Sequence, residues 1–252
     1  MEEWLTQAFW VGLAKIIGVN IVLSGDNAVV IALAARSLPP KQQKLAIFWG
    51  AGAAVVLRVM LTVFAVALLT LPWLKIIGSL LLFWIGIKLL VPEEPGDDVQ
   101  ASDNLIAAIK TILIADLVMS LDNVFAVAAA AGGSLTLLIL GLAISILLVI
   151  FGATLLVKLM DRFPIIITLG AALIGMVAGE MLVTDPVVMD WMNGHVTGFQ
   201  LDGDKPRLHG VNLEIVCGAI GAVIVVVWGL WLAKRQAALE AAHAQEPQPP
   251  NS

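Results

Sequence analysis

Two polar runs interrupt an otherwise oily chain, Ser24-Gly25-Asp26-Asn27 and Ser120-Leu121-Asp122-Asn123. Four residues before each serine stands another polar group, Asn20 in the first copy and Asp116 in the second. Pooled, the copies offer three carboxylates (Asp26, Asp116, Asp122) and the amide and hydroxyl oxygens of Asn20, Asn27, Asn123, Ser24 and Ser120. The set is all oxygen, with neither His nor Cys. Such ligands suit magnesium, calcium or manganese, whereas zinc and copper usually draw imidazole or thiolate. Close carboxylates in an empty site would take up protons, because like charges raise each other's pKa, so exchange of a metal ion for protons is the natural expectation. Asn, Ser and Asp can also act as hydrogen-bonding glue between helices. For the aspartates that is a poor reason, since a carboxylate inside a membrane costs about 2.5–3.5 kcal/mol on insertion scales.

The elements that must carry these residues are membrane helices. The chain is 60% hydrophobic and 13% charged, with mean hydropathy +0.98. Soluble domains are nearer ~45–50% and ~25%, so too few polar residues exist to cover a water-facing surface. A span needs about 20 mainly apolar residues, and seven segments qualify: about Leu5–Ala35, Leu45–Leu71, Trp73–Leu90, Leu105–Ala131, Leu135–Leu159, Ile165–Val183 and Leu213–Ala233. The start, Met1-Glu2-Glu3-Trp4, lacks the basic region of a signal peptide, so the first run is read as a retained span. The stretch from Thr184 to Val211 is polar, with turn signals at Asn193-Gly194 and Asp202-Gly203, and residues 236–252 read as a disordered tail. The single cysteine, Cys217, permits neither an internal disulfide nor a thiolate cage. Basic residues cluster after the first, fifth and seventh segments, at Arg36, Lys41 and Lys44, at Lys158 and Arg162, and at Lys234 and Arg235. The positive-inside rule then places the N-terminus outside and the C-terminus in the cytoplasm.

The doubled motif is part of a longer repeat. Pro72 and Gly78 in the third segment match Pro164 and Gly170 in the sixth, and Lys88 falls opposite Glu180. The order implies two three-helix units, about residues 5–91 and 104–183, with the helix at 213–233 added. Three is odd, so the second unit enters from the opposite side, the plan of inverted-repeat transporters with a site near the midplane. The expected fold class is therefore an all-α membrane protein of seven transmembrane helices. The first segment, about 46 Å long at about 1.5 Å per residue, exceeds a hydrocarbon core of about 30 Å, and Ser24-Gly25-Asp26-Asn27 is where it should tilt or break. Leu121 replaces Gly25 in the second copy, so a break there is less expected. Arg58, mid-way along the second segment, has no charged counterpart in the fifth. It is a candidate counter-ion to the aspartates, either fixed or paired only when metal is absent. Lys15 takes no role, Glu180 and Glu214 read as helix-end residues, and His195 and His209 read as loop residues without a ligand spacing.

At the paired Ser-x-Asp-Asn motifs the chain resembles the TerC family of bacterial membrane proteins, in its short form without appended regulatory (CBS) domains. The likeness spans about residues 5–235. It implies a seven-helix protein of the bacterial inner membrane and, for several members, manganese export; the family was first linked to tellurium resistance. Its acidic pattern falls on Asp26, Asp116 and Asp122, with Asn27 and Asn123. Asn20 stands where the second half has Asp116, so a symmetric four-carboxylate site is not expected. Three classes of function follow. The first is a transporter of a divalent ion (manganese, with calcium or magnesium as alternatives), with lipid, the ion and protons as partners and no permanent cofactor or nucleic acid. The second is a non-transporting scaffold in metal or tellurium stress. The third, an enzyme, is not expected, because no nucleophile–base pair, metalloprotease motif or phosphate loop is present.

Overall fold

The computed structural model describes residues 7–63, 72–91, 98–131, 134–203 and 205–243. Within them the chain is mostly helical. Helix α1 runs Gln7–Leu23, α2 Gly25–Ala35, α3 Pro40–Val63, α4 Leu74–Leu90 and α5 Asp98–Ala131. Then come α6, Leu135–Arg162, α7, Ile165–Val183, and a short α8, Pro186–His195; α9, Leu213–His243, is the last. Five of these, α3, α5, α6, α7 and α9, are long and apolar enough to cross a membrane, and α1 with α2 makes a sixth if the bent pair is one span. Helix α4 has 17 residues.

The first apolar segment is broken where its length and polar run suggest. Helices α1 and α2 meet at 51°, and the hinge is Ser24, whose backbone (φ −117°, ψ 6°) is not helical. Gly25 opens α2 and has open space around it. In the second copy Leu121 sits inside an unbroken α5. Most of α2 is buried, from Asn27 and Ala28 through Val30–Ala35. Its small side chains let neighbours approach closely, which is how helices associate where lipid removes the usual hydrophobic drive. Around it lies the main core, with Ile47 and Ala51 of α3, Leu82 and Ile85 of α4, Ile112 and Val118 of α5, Ala153 and Val157 of α6, and Ile174 of α7.

The helices pair in a regular way. The α1–α2 pair packs on α6, and α3 packs on α5; α4 packs on α7, and α3 also on α6. Gly78 of α4 faces Val118 of α5, and Gly170 of α7 faces Val29 of α2, each with 2.7 Å from an added Cβ to the valine. Helix α9 lies against α7 and α4. The α7–α9 crossing is built on glycine: a Cβ on Gly175 would come 2.5 Å from the Gly221 carbonyl oxygen, and one on Gly179 would overlap the Cys217 carbonyl. Outward side chains such as Phe48, Trp49, Leu147, Phe151, Ile215 and Val227 are large, apolar and exposed, as a lipid-facing surface requires.

Three expectations need correction. The chain is not all-α: between α8 and α9 lies a small antiparallel sheet, β1 (Phe199–Asp202), β2 (Lys205–Leu208) and β3 (Val211–Asn212), in that order. Its second turn uses His209 and Gly210, both with positive φ (50° and 84°), as two-residue hairpins demand. Asn193-Gly194 is not a turn; it is in the last turn of α8, which Asp185 caps and Pro186 opens. The end of α9 passes Ala233 and continues to His243, because Ala237, Ala238, Leu239, Glu240, Ala241 and Ala242 are strong helix formers. The acidic stretch 92–97 and the residues from 244 onward lie outside the described residues.

Candidate ion-binding site

The site is built from opposite halves of the chain. Asn20 near the end of α1 and Ser24 at the hinge are spaced i, i+4 and come together; the Ser24 hydroxyl donates to Asn20 Oδ1 at 3.2 Å. On α5, Asp116 and Ser120 repeat the spacing, and the Ser120 hydroxyl donates to Asp116 Oδ2 at 3.3 Å. Arg58 reaches between them from α3. Its Nη1 donates to Asn20 Oδ1 at 2.8 Å and to Ser24 Oγ at 2.9 Å. Its Nε donates to Ser120 Oγ at 3.1 Å, and its Nη2 to Asp116 Oδ1 at 2.5 Å in an ion pair. Arg58 and Asp116 are each 5% exposed. A guanidinium offers five N–H donors in a planar fork, and here the fork spans both motifs. A charge so deep is tolerable only when paired and hydrogen-bonded.

Beside the guanidinium is a cavity of about 20 Å³, lined by Asn20, Ser24, Asn27, Arg58 and Asp116 with apolar walls from α2, α3 and α6. That is room for about one water-sized occupant. Asn27 is 2% exposed, and neither its Oδ1 nor its Nδ2 has a hydrogen-bond partner. A buried amide left unpaired costs about 1–3 kcal/mol, so its place on the cavity wall asks for a polar occupant. Helix α6 contributes only Ile146 and Val149.

The remaining sequence candidates separate. Asp26 is half-buried; its Oδ1 accepts the Asn27 backbone N–H at 2.8 Å at the first turn of α2. There a negative charge is favoured by the helix dipole. It is not on the cavity wall, although it lies within electrostatic reach of Arg58 and Asp116. Asn123 donates to the Met119 carbonyl of its own helix at 3.1 Å. The side chain of Asp122 lies outside the described residues. Among the described residues no three His, Cys, Asp or Glu side chains come together. Lys15 is exposed, Glu180 and Glu214 are half-buried, and His195 stacks on Trp191 at the exposed end of α8.

One buried carboxylate escaped the sequence reading. Asp185 is fully buried. Its Oδ1 caps α8 through the Val187 N–H at 2.9 Å, and its Oδ2 accepts the Ile76 N–H at 3.3 Å, tying α8 to the first turn of α4. The Asp-Pro pair at 185–186 is a helix-start signal hidden in what reads as a polar loop.

A multi-pass bundle in which buried polar residues from different helices meet around one arginine defines an integral membrane protein with an internal ionic site. The chain belongs to the TerC family of integral membrane proteins, matching it over residues 5–237. It is similar to YjbE, an uncharacterized membrane protein of Bacillus subtilis (strain 168), with 40% identity over 189 residues, 75% of this chain and 87% of that one. YceF of the same organism, also an uncharacterized membrane protein, is 28% identical over 68% of this chain and 70% of its own. No solved structure matches the chain.

Proposed function

We propose that the protein is a divalent metal ion transporter, and most concretely a manganese exporter, in which Asp116, Asn20, Ser24, Ser120 and Asn27 provide the central oxygens. The observation that carries this reading is the buried cluster in which residues of α1, α2 and α5 turn their oxygens and amides toward one small cavity. Asp26, Asp122 and Asn123 extend the set along the same two motifs. A hard, oxygen-only set favours manganese, magnesium or calcium, and the choice of manganese comes from the TerC likeness. Protons are the proposed counter-ion at Asp26. No covalent chemistry and no resident cofactor are assigned to the site.

Alternating access needs two units that can rock, and we read α1–α4 and α5–α7 as inverted repeats, seven spans in all with α4 and the α1–α2 pair counted. The helix contacts support this: exchanging the units maps the α1–α2/α6 contact onto α3/α5 and maps α4/α7 onto itself. The glycines Gly78 and Gly170 follow the same exchange, each meeting the first helix of the other unit. With the N-terminus outside a bacterial inner membrane, Arg36 just after α2, Lys158 and Arg162 near the end of α6, and Lys234 and Arg235 within α9 face the cytoplasm. The test is Mn2+ flux into proteoliposomes and manganese tolerance of cells lacking other exporters. Asp26→Asn and Asp116→Asn should each remove most of the activity while the protein still inserts. Full activity in both variants would refute the assignment.

A further inference from the structure

Each acceptor that Arg58 uses is an oxygen that an arriving ion would need: Asn20 Oδ1, Ser24 Oγ, Ser120 Oγ and Asp116 Oδ1. A guanidinium and a divalent ion therefore compete for one ligand set, and their like charges forbid both from holding it together. Arginine cannot shed its proton inside a protein, so it must move aside rather than neutralise. Meanwhile the Asn27 side chain is buried on the same cavity wall with no partner, so the site is only part-filled with Arg58 in place. The facing stretch of α6 supplies Ile146 and Val149 and no charge.

From this competition we infer that Arg58 is a tethered counter-cation: it occupies the Asp116 carboxylate whenever the site is empty and withdraws when the ion binds. The inference rests on the transport reading and specifies its return step. An empty carrier must turn its ligand oxygens back to face the first side of the membrane. With Arg58 in place the Asp116 site is neutral on that leg and takes no cation from solution. Without it, the carboxylate must be enclosed bare in a low-dielectric interior, or first neutralised by a proton, while the units rock; either adds a barrier to the empty return but not to a return with a second ion aboard. Arg58 is thus a coupling residue, distinct from a fixed brace, which would affect both legs alike.

The experiment compares two modes of Mn2+ movement in proteoliposomes holding the full chain. Net efflux into Mn2+-free buffer requires the empty return, whereas exchange with Mn2+ on both sides does not. The reading is their ratio, which is independent of how much protein is reconstituted. Arg58→Gln should lower the ratio at least about tenfold, the effect of a modest added barrier on one leg. Arg58→Lys keeps a positive charge on a flexible stem and should hold the ratio within about threefold of wild type; Arg58→Met, neutral and of similar length, takes the place of the glutamine variant if that one does not fold. A wild-type ratio in Arg58→Gln, or a fall in Arg58→Lys as deep as that expected of the glutamine variant, overturns the inference. A folded wild-type protein that moves Mn2+ in neither mode sinks the transport reading first, and this one with it.

Discussion

Removing the Asp116 charge tests whether the ionic cluster is as buried as its geometry says. Asp116→Asn keeps nearly the same shape and an acceptor oxygen for Nη2 of Arg58, so what is lost is the charge opposite the guanidinium. Both side chains are 6% exposed, so water offers little replacement. Breaking a buried pair by removing one partner costs about 3–5 kcal/mol, while replacing both partners is often close to neutral. Polar contacts in membranes are commonly worth less, because the unfolded chain in lipid also finds partners. The lower end, about 3 kcal/mol, is therefore the expected loss for Asp116→Asn. The double variant Arg58→Gln/Asp116→Asn should recover most of it, since an uncharged amide pair can still use Ser120 and Asn20. Reversible unfolding in mixed micelles, followed by circular dichroism, gives both values and the coupling between the sites. A single variant within about 1 kcal/mol of wild type, or a double variant no better than the sum of the two singles, would show that the guanidinium is solvated and that the buried-cluster argument is wrong.

Two further outcomes test the packing around the site. Gly179→Ala puts a methyl group into the Cys217 carbonyl, a backbone atom that cannot turn away. α7 and α9 must then part, at about 1–3 kcal/mol, read as a lowered unfolding midpoint in detergent. Gly52→Ala, which meets nothing within 4 Å, is the matched control and should not destabilise. Asp185→Ala removes the cap of α8 and the Ile76 acceptor together. It should cost about 1–2 kcal/mol and raise hydrogen exchange at the start of α4 and α8, and unchanged exchange at Ile76 would count against that link.

Much of this was legible in the chain because membrane physics writes strong signals. Apolar runs of bilayer length locate α3 through α7 and α9, and α7 matches its expected span of Ile165–Val183. The break in the first segment is legible for the same reason: too long a run with a polar patch inside it. What breaks it is subtler. Gly25 has negative φ and open surroundings, so its freedom is not what turns the chain; the non-helical residue is Ser24. The boundaries at Pro40 and Asp98 fall outside apolar runs, because polar first turns leave the hydrocarbon and hydropathy does not register them. The outer segment is least legible, since ten residues of α8 and three short strands carry little periodicity. At the site, motif spacing identifies which oxygens share a helix face. It does not reveal that Arg58 touches both motifs at once, because contacts across 34 to 62 residues of sequence depend on how helices cross.

The asymmetry of the cluster follows from its charge. On the repeat reading proposed above, an unchanged second unit would place an aspartate at both Asn20 and Asp116, and a matching arginine or none on both α3 and α6. Two carboxylates facing one cavity of about 20 Å³ would repel strongly, and a single guanidinium could not neutralise both. With Asn20 in place of the second aspartate, one arginine balances one carboxylate and still satisfies the amide and both serines. Ser24 interrupts the helix beside the neutral partner, whereas α5 stays continuous through Asp116 and Ser120 and holds the charged partner on a rigid element. The two halves can therefore share a packing plan while dividing the labour at its centre: one holds the Asp116 carboxylate and Ser120 on an unbroken helix, and the other supplies the hinge and the oxygens of Asn20 and Ser24.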